Sequence, residues 1–178
     1  MPVLLSFAQW IQATDFFTAL RGSAYVYPIV LTLHMCGIAL FGGMVLMTDL
    51  RLLGVSMKKY PIADVVDQFR GLKHLGLLLI VVCGLLMAGA KAEEYYYNLA
   101  FWIKMSILSL IIVHAIVFRG SVYRRAAEFD KAPEIPGQAK LAATLSLILW
   151  SGMVIAGRTI GYIEAPIEKL HAMLIHIH

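Results

Sequence analysis

Uninterrupted apolar runs dominate the chain, where a soluble domain would show strand alternation or a single apolar helical stripe. Four of them, residues 25–47, 73–90, 99–118 and 141–162, reach about the 20 residues that a helix needs to cross the hydrocarbon core. Ahead of them, Leu4, Phe7, Trp10, Ile11 and Phe17 recur near a helical period, and Ser6 with Gln9 fits a capping box. Residues 3–20 therefore read as one amphipathic helix lying in the membrane interface and ending near Arg21-Gly22, in place of a basic-headed signal peptide. Pro61 opens the helix that leads into the second span, and residues 133–137 form a turn before the fourth. With short connections, the expected fold is all-α and integral to the membrane: a four-transmembrane-helix up-down bundle with an N-terminal interfacial helix and a short tail, residues 1–178 forming one domain.

Composition agrees with the pattern. Hydrophobic residues make up 60% of the 178 and charged residues only 15%, far from the balance of a soluble domain. The net charge of +4 is a topology signal. Arg51, Lys58, Lys59, Arg70 and Lys73 follow the first span, and Arg119, Arg124, Arg125, Lys131 and Lys140 follow the third. The other side carries Arg21, Lys91, Arg158 and Lys169. The positive-inside rule then puts both termini on the periplasmic or exterior face of a bacterial inner membrane, with the lipid bilayer as the partner of the basic loops and no nucleic acid. Tyr95-Tyr96-Tyr97 and Trp102 read as an interfacial aromatic belt. Cys36 and Cys83 belong to no CxxC or CxxCH pattern, which excludes covalent haem attachment through such a motif.

Ionisable residues inside the runs are the candidate chemistry, because each is costly in hydrocarbon and needs a partner. His74 and His114 could share a depth on adjacent helices, the frame of a b-type haem with two imidazole ligands. Arg70, Lys73 and Arg119 are then placed for the propionates, with Gly71 and Gly76 admitting a flat macrocycle. His34 lies roughly 13 Å below the other end of its span and could ligate a second haem or metal, with Met153 or a tail histidine opposite. Each histidine could equally hydrogen-bond to a neighbouring helix. Lys104 and Arg158, at similar depth, either snorkel to the interface or face inward toward a quinone, a propionate or an anion, with Glu93, Glu94 or Glu164 as counter-charges. Gly157 and Gly161 form a GxxxG pattern that reads as close helix packing. Asp49 reads as an anchor at the end of the first span, paired with Arg51 or a loop lysine. His171, His176 and His178 form a weak metal-binding pattern in the tail.

Residues 33–43 around His34 and Gly37, closing on Asp49-Leu50-Arg51, resemble the first span of an uncharacterised family of small bacterial four-helix membrane proteins. Phe101-Trp102-Ile103-Lys104 and Ala156-Gly157-Arg158-Thr159 resemble its third and fourth spans. The resemblance marks His34, Asp49, Arg51, Lys104 and Arg158; His74 and His114 depart from it, Asn standing in the family where this chain has His114. In architecture the chain is also similar to b561-type cytochromes and to membrane proteins of the CopD type. The expectation is a haem b electron-transfer subunit exchanging electrons with quinone or a redox partner. The alternatives are a cofactor-free accessory subunit of a larger membrane complex and a small metal or anion permease. No hydrolase, kinase or nucleotide motif occurs, so an electron-transfer role would belong to an oxidoreductase subunit without its own catalytic domain.

Overall fold

The computed structural model describes residues 2–131 and 134–162. In chain order these form α1 (Pro2–Gln12), α2 (Asp15–Gly22), α3 (Val26–Leu52), α4 (Ile62–Gln68), α5 (Arg70–Ala90), α6 (Ala92–Tyr97), α7 (Leu99–Ser121), a 3-10 turn at Tyr123–Arg125, α8 (Ala126–Phe129) and α9 (Gly137–Thr159). Four of these, α3, α5, α7 and α9, are long and apolar enough to cross a membrane. They expose Leu77, Leu78, Leu85, Ile112, Ile116, Ile148 and Ile155, a belt that water would penalise and acyl chains would not. The protein is a multi-pass membrane protein of four spans.

The N-terminal segment is two helices where the sequence predicts one. Thr14 takes an extended conformation between them and Asp15 supplies the negative charge of the new first turn. Ser6 and Gln9 lie inside α1 and do not cap it; the Gln9 amide instead donates to Glu93 Oε1 at 2.8 Å. Gln12 Oε1 accepts from the Glu93 backbone N–H at 2.9 Å, which ties α1 across α6. The Arg21 guanidinium donates to the Ala90 carbonyl at 2.9 Å, satisfying the open end of α5.

The first span runs past its predicted end, to Leu52, because Leu50, Leu52 and Leu53 continue the apolar pattern beyond the first charges. It stops at Gly54, whose φ of +72° only a glycine adopts cheaply, with the Val55 N–H closing on the Leu50 carbonyl at 3.0 Å. Pro61 starts α4, but Phe69 separates α4 from the second span. The Asp130 carboxylate caps α4 from a distant loop, accepting the Ile62 N–H at 2.6 Å and the Ala63 N–H at 3.1 Å. Arg51 reaches the same carboxylate at 3.9 Å and donates to the Tyr60 carbonyl at 2.8 Å. A core of Leu52, Ile62, Val122, Phe129, Ala139 and Ala142 closes this end of the bundle.

Helix packing fixes the order around the bundle. The α3–α5 contact is the most extensive, and it is a glycine crossing. A Cβ on Gly37 would stand 2.9 Å from Leu79 Cβ, and one on Gly76 would stand 2.8 Å from the Phe41 backbone nitrogen. α3 also packs on α9, and α9 on α7, whereas among the described residues α5 and α7 share no packed interface along their lengths. The four spans thus form a row, α5–α3–α9–α7, curled round an open seam.

Candidate functional site

At the α4 end of that seam is a cavity of about 190 Å³. α3 contributes Phe41, Val45, Thr48 and Asp49; α5 contributes Lys73. α7 adds Ile111, His114 and Ala115, and α9 adds Ser146 and Trp150. All four spans meet here. The Phe41 and Trp150 rings meet at a tilt of 49°, centroids 5.1 Å apart, and form the apolar roof.

Asp49 is the unusual member. It is 0% exposed, and neither carboxylate oxygen has a hydrogen-bond partner. The Ser146 hydroxyl, on the facing helix, is the neutral donor nearest to hand, and Lys73 acts on Asp49 through space with no direct ion pair between them. Lys73 spends one of its N–H groups on Thr48 Oγ1 at 2.7 Å, while that hydroxyl donates to the Met44 carbonyl at 2.8 Å. His114 Nε2 lies 2.9 Å from the Ala142 carbonyl, which can only accept, so the proton is on Nε2 and Nδ1 is the free acceptor of the neutral ring. Leaving a buried carboxylate unpaired costs several kcal/mol, roughly what a whole marginal domain has to spare. The cavity therefore presents an acceptor and a cationic donor held apart, a geometry that a bound molecule or ordered water would complete.

The sequence missed this site because Asp49 reads as an anchor at a helix end. It does not pair with Arg51, which lies two residues on and turns to Asp130 instead. The continuing apolar pattern to Leu53 and the stop at Gly54 are the signals that place Asp49 inside the helix.

The remaining expected site residues are distributed otherwise. Of the pair His74 and His114, only His114 reaches the cavity. His74 is exposed and stands two positions before Gly76, hence roughly 200° round α5 from the face pressed on α3. The structure does not bring the two rings together. Gly76 is filled by Phe41 and gives no room to a macrocycle, while Gly71 stands open. Arg70 is exposed and ion-paired with Asp67. The Arg119 side chain, Glu164 and the tail histidines lie outside the described residues.

His34 is buried at 5% exposure, against the α5 backbone, where a Cβ on Gly84 would stand 3.2 Å from its Cε1. Its Nδ1 has no partner, and Lys104 is its charged neighbour. Lys104 faces inward, with Nζ 3.8 Å from where a Gly157 Cβ would be, so that glycine accommodates the lysine; Gly161 lies past the end of α9, and the pair does not form a helix crossing. Arg158 is exposed and folds onto Tyr162, donating to its hydroxyl at 3.2 Å, so it does not join Lys104. Met153 is buried, and Glu93 and Glu94 serve Gln9 and Lys91. Asp49 follows His34 by 15 residues, roughly 22 Å along α3, with the Phe41–Trp150 roof between them. The two polar tiers are separate.

A larger void of about 400 Å³ lies between α1 and the ends of α5 and α7, walled by Phe7, Phe17, Leu85, Tyr95, Phe101 and Trp102. Its polar atoms are spent, the Trp102 indole on the Tyr96 carbonyl at 2.9 Å and the Tyr95 phenol on Tyr27. Burial holds that phenol above its ordinary pKa and keeps it neutral. This void offers hydrocarbon contact and no chemistry.

Residues 7–163 match the profile of the family of unknown function DUF6644, and the chain belongs to that family. Nothing matches among the curated proteins or among the solved structures.

Proposed function

We propose that this chain is a membrane-embedded binding protein, working alone or as a subunit of a larger complex, that holds a small hydrogen-bonding molecule in the Asp49 cavity. The observation that carries this is the fully buried, unpartnered Asp49 carboxylate sharing a cavity wall with Lys73. Intramembrane ionisable groups that cost stability are retained where they meet a ligand or move a proton, and a carboxylate beside a lysine and a histidine can do either. The basic residues gathered at the α4 end favour an inner-membrane orientation with that end, and the cavity, in the cytoplasmic half.

Native mass spectrometry of the detergent-released protein tests the reading. The wild type is expected to carry a small-molecule adduct that Ala115→Leu, which fills the cavity from α7, loses. Bare protein in both cases would contradict it.

The haem b electron-carrier reading has less support. His74 lies on the far face of α5, so His114 has no second imidazole opposite it among the described residues, and about 190 Å³ is below the 300–1,000 Å³ typical of cofactor-sized pockets. The unpartnered Nδ1 of His34 is the observation in its favour. A sharp reduced-minus-oxidised α-band from protein made with haem supplied, lost in His34→Ala, would restore it; a featureless spectrum would remove it. The permease reading needs a polar path joining the two tiers, which the abutting Phe41 and Trp150 rings interrupt.

A further inference from the structure

The walls of the Asp49 cavity differ in kind, and the difference selects a ligand. One part is apolar and aromatic: Phe41, Trp150, Val45 and Ile111. The other is a polar rim in which Asp49, when ionised, can only accept hydrogen bonds and Lys73, when protonated, can only donate. A complementary molecule therefore has a hydrogen-bond donor and an acceptor on a compact apolar body. The volume of about 190 Å³ admits a single substituted ring and excludes a macrocycle. It could also be filled by a few waters, each occupying about 30 Å³ in the liquid.

Access decides between these. Among the described residues α5 and α7 share no packed interface, and Ala115, which lines the cavity, is exposed on α7. The mouth therefore opens sideways, between spans that face acyl chains, which gives a molecule dissolved in the membrane a route to the cavity. A ring bearing a hydroxyl, a second oxygen and a hydrocarbon tail satisfies every wall: ring on Phe41 and Trp150, hydroxyl on Asp49, second oxygen on Lys73, tail in the seam.

We propose that the Asp49–Lys73 cavity receives the head ring of a lipid-soluble quinol or quinone through the seam between α5 and α7, a ring oxygen accepting from Lys73 in either form and, in the quinol, a hydroxyl donating to Asp49. This rests on the reading of the cavity as a ligand site and names its ligand class. It also moves the quinone contact from Lys104 and Arg158, where the sequence puts it, to the other end of the bundle. Ser146 and the free Nδ1 of His114 supply the remaining polar contacts.

The chain has three tryptophans, so Trp10→Phe with Trp102→Phe leaves Trp150, in the cavity wall, as the only one. The test titrates this protein in detergent with decylubiquinone, a short-tailed benzoquinone, and follows Trp150 fluorescence. Saturable quenching is expected, weakened about tenfold or more by Lys73→Met, since a hydrogen bond to a charged group is worth that much. Ala115→Leu, which leaves every polar group in place, should weaken it as strongly and serves if the lysine variant does not fold. Quenching that rises linearly with quinone and is equal in all three proteins overturns the proposal. An adduct lost in Ala115→Leu but no saturable quinone binding overturns the quinone assignment alone. Neither adduct nor saturation removes the ligand site as well.

Discussion

Asp49 and Lys73 share one cavity without pairing directly, and at the scale of the residue this is a costly arrangement. Replacing both charges by neutral groups of similar size, Asp49→Asn with Lys73→Met, should leave stability equal or raise it by about 1–3 kcal/mol, because two desolvation penalties disappear together. The denaturation midpoint in detergent checks this; a large loss would mean that the pair is structural. His34 and Lys104 were legible from residue type alone, since any titratable group in an apolar run is conspicuous. Asp49 was not. It lies at the edge of the first run, where a carboxylate ordinarily meets water, and only the extension of α3 to Leu52 turns it inward. His74 shows the reverse error: its depth was legible, but its direction depends on which face of α5 the Gly76 crossing buries.

At the scale of the element, glycine positions set the geometry that the site needs. Gly76 has the backbone of Phe41 where its Cβ would be, whereas Gly71, earlier on the same helix, has nothing within 4 Å. Gly76→Ala should therefore force α3 and α5 apart and cost about 1–3 kcal/mol, while Gly71→Ala should be neutral or slightly stabilising through helix propensity. Thermal unfolding of the two variants in one detergent separates them; equal effects would contradict the crossing. The spans themselves were legible because length and hydropathy suffice to define them. Breaks were less so. The extended Thr14 divides α1 from α2, and Phe69 divides α4 from α5, without a proline or glycine at the break to announce either.

On the scale of the whole molecule, the row α5–α3–α9–α7 leaves a lateral seam, a feature absent from hydropathy because it depends on which spans touch. Orientation is the other global property, and it rests on the basic residues at the α4 end. In protein carrying Cys36→Ser and Cys83→Ser, a membrane-impermeant thiol reagent added to intact cells should label Ala24→Cys and spare Lys58→Cys. The opposite pattern would place the Asp49 cavity in the outer half. The claim on which the whole account turns is that this cavity holds a molecule. A crystal structure of the protein grown from a lipidic mesophase tests it most directly. The account predicts density for a ring against Phe41 and Trp150, in contact with Asp49 and Lys73, with its tail leaving between α5 and α7. A cavity filled only by water, or closed by a direct Asp49–Lys73 ion pair, would contradict it.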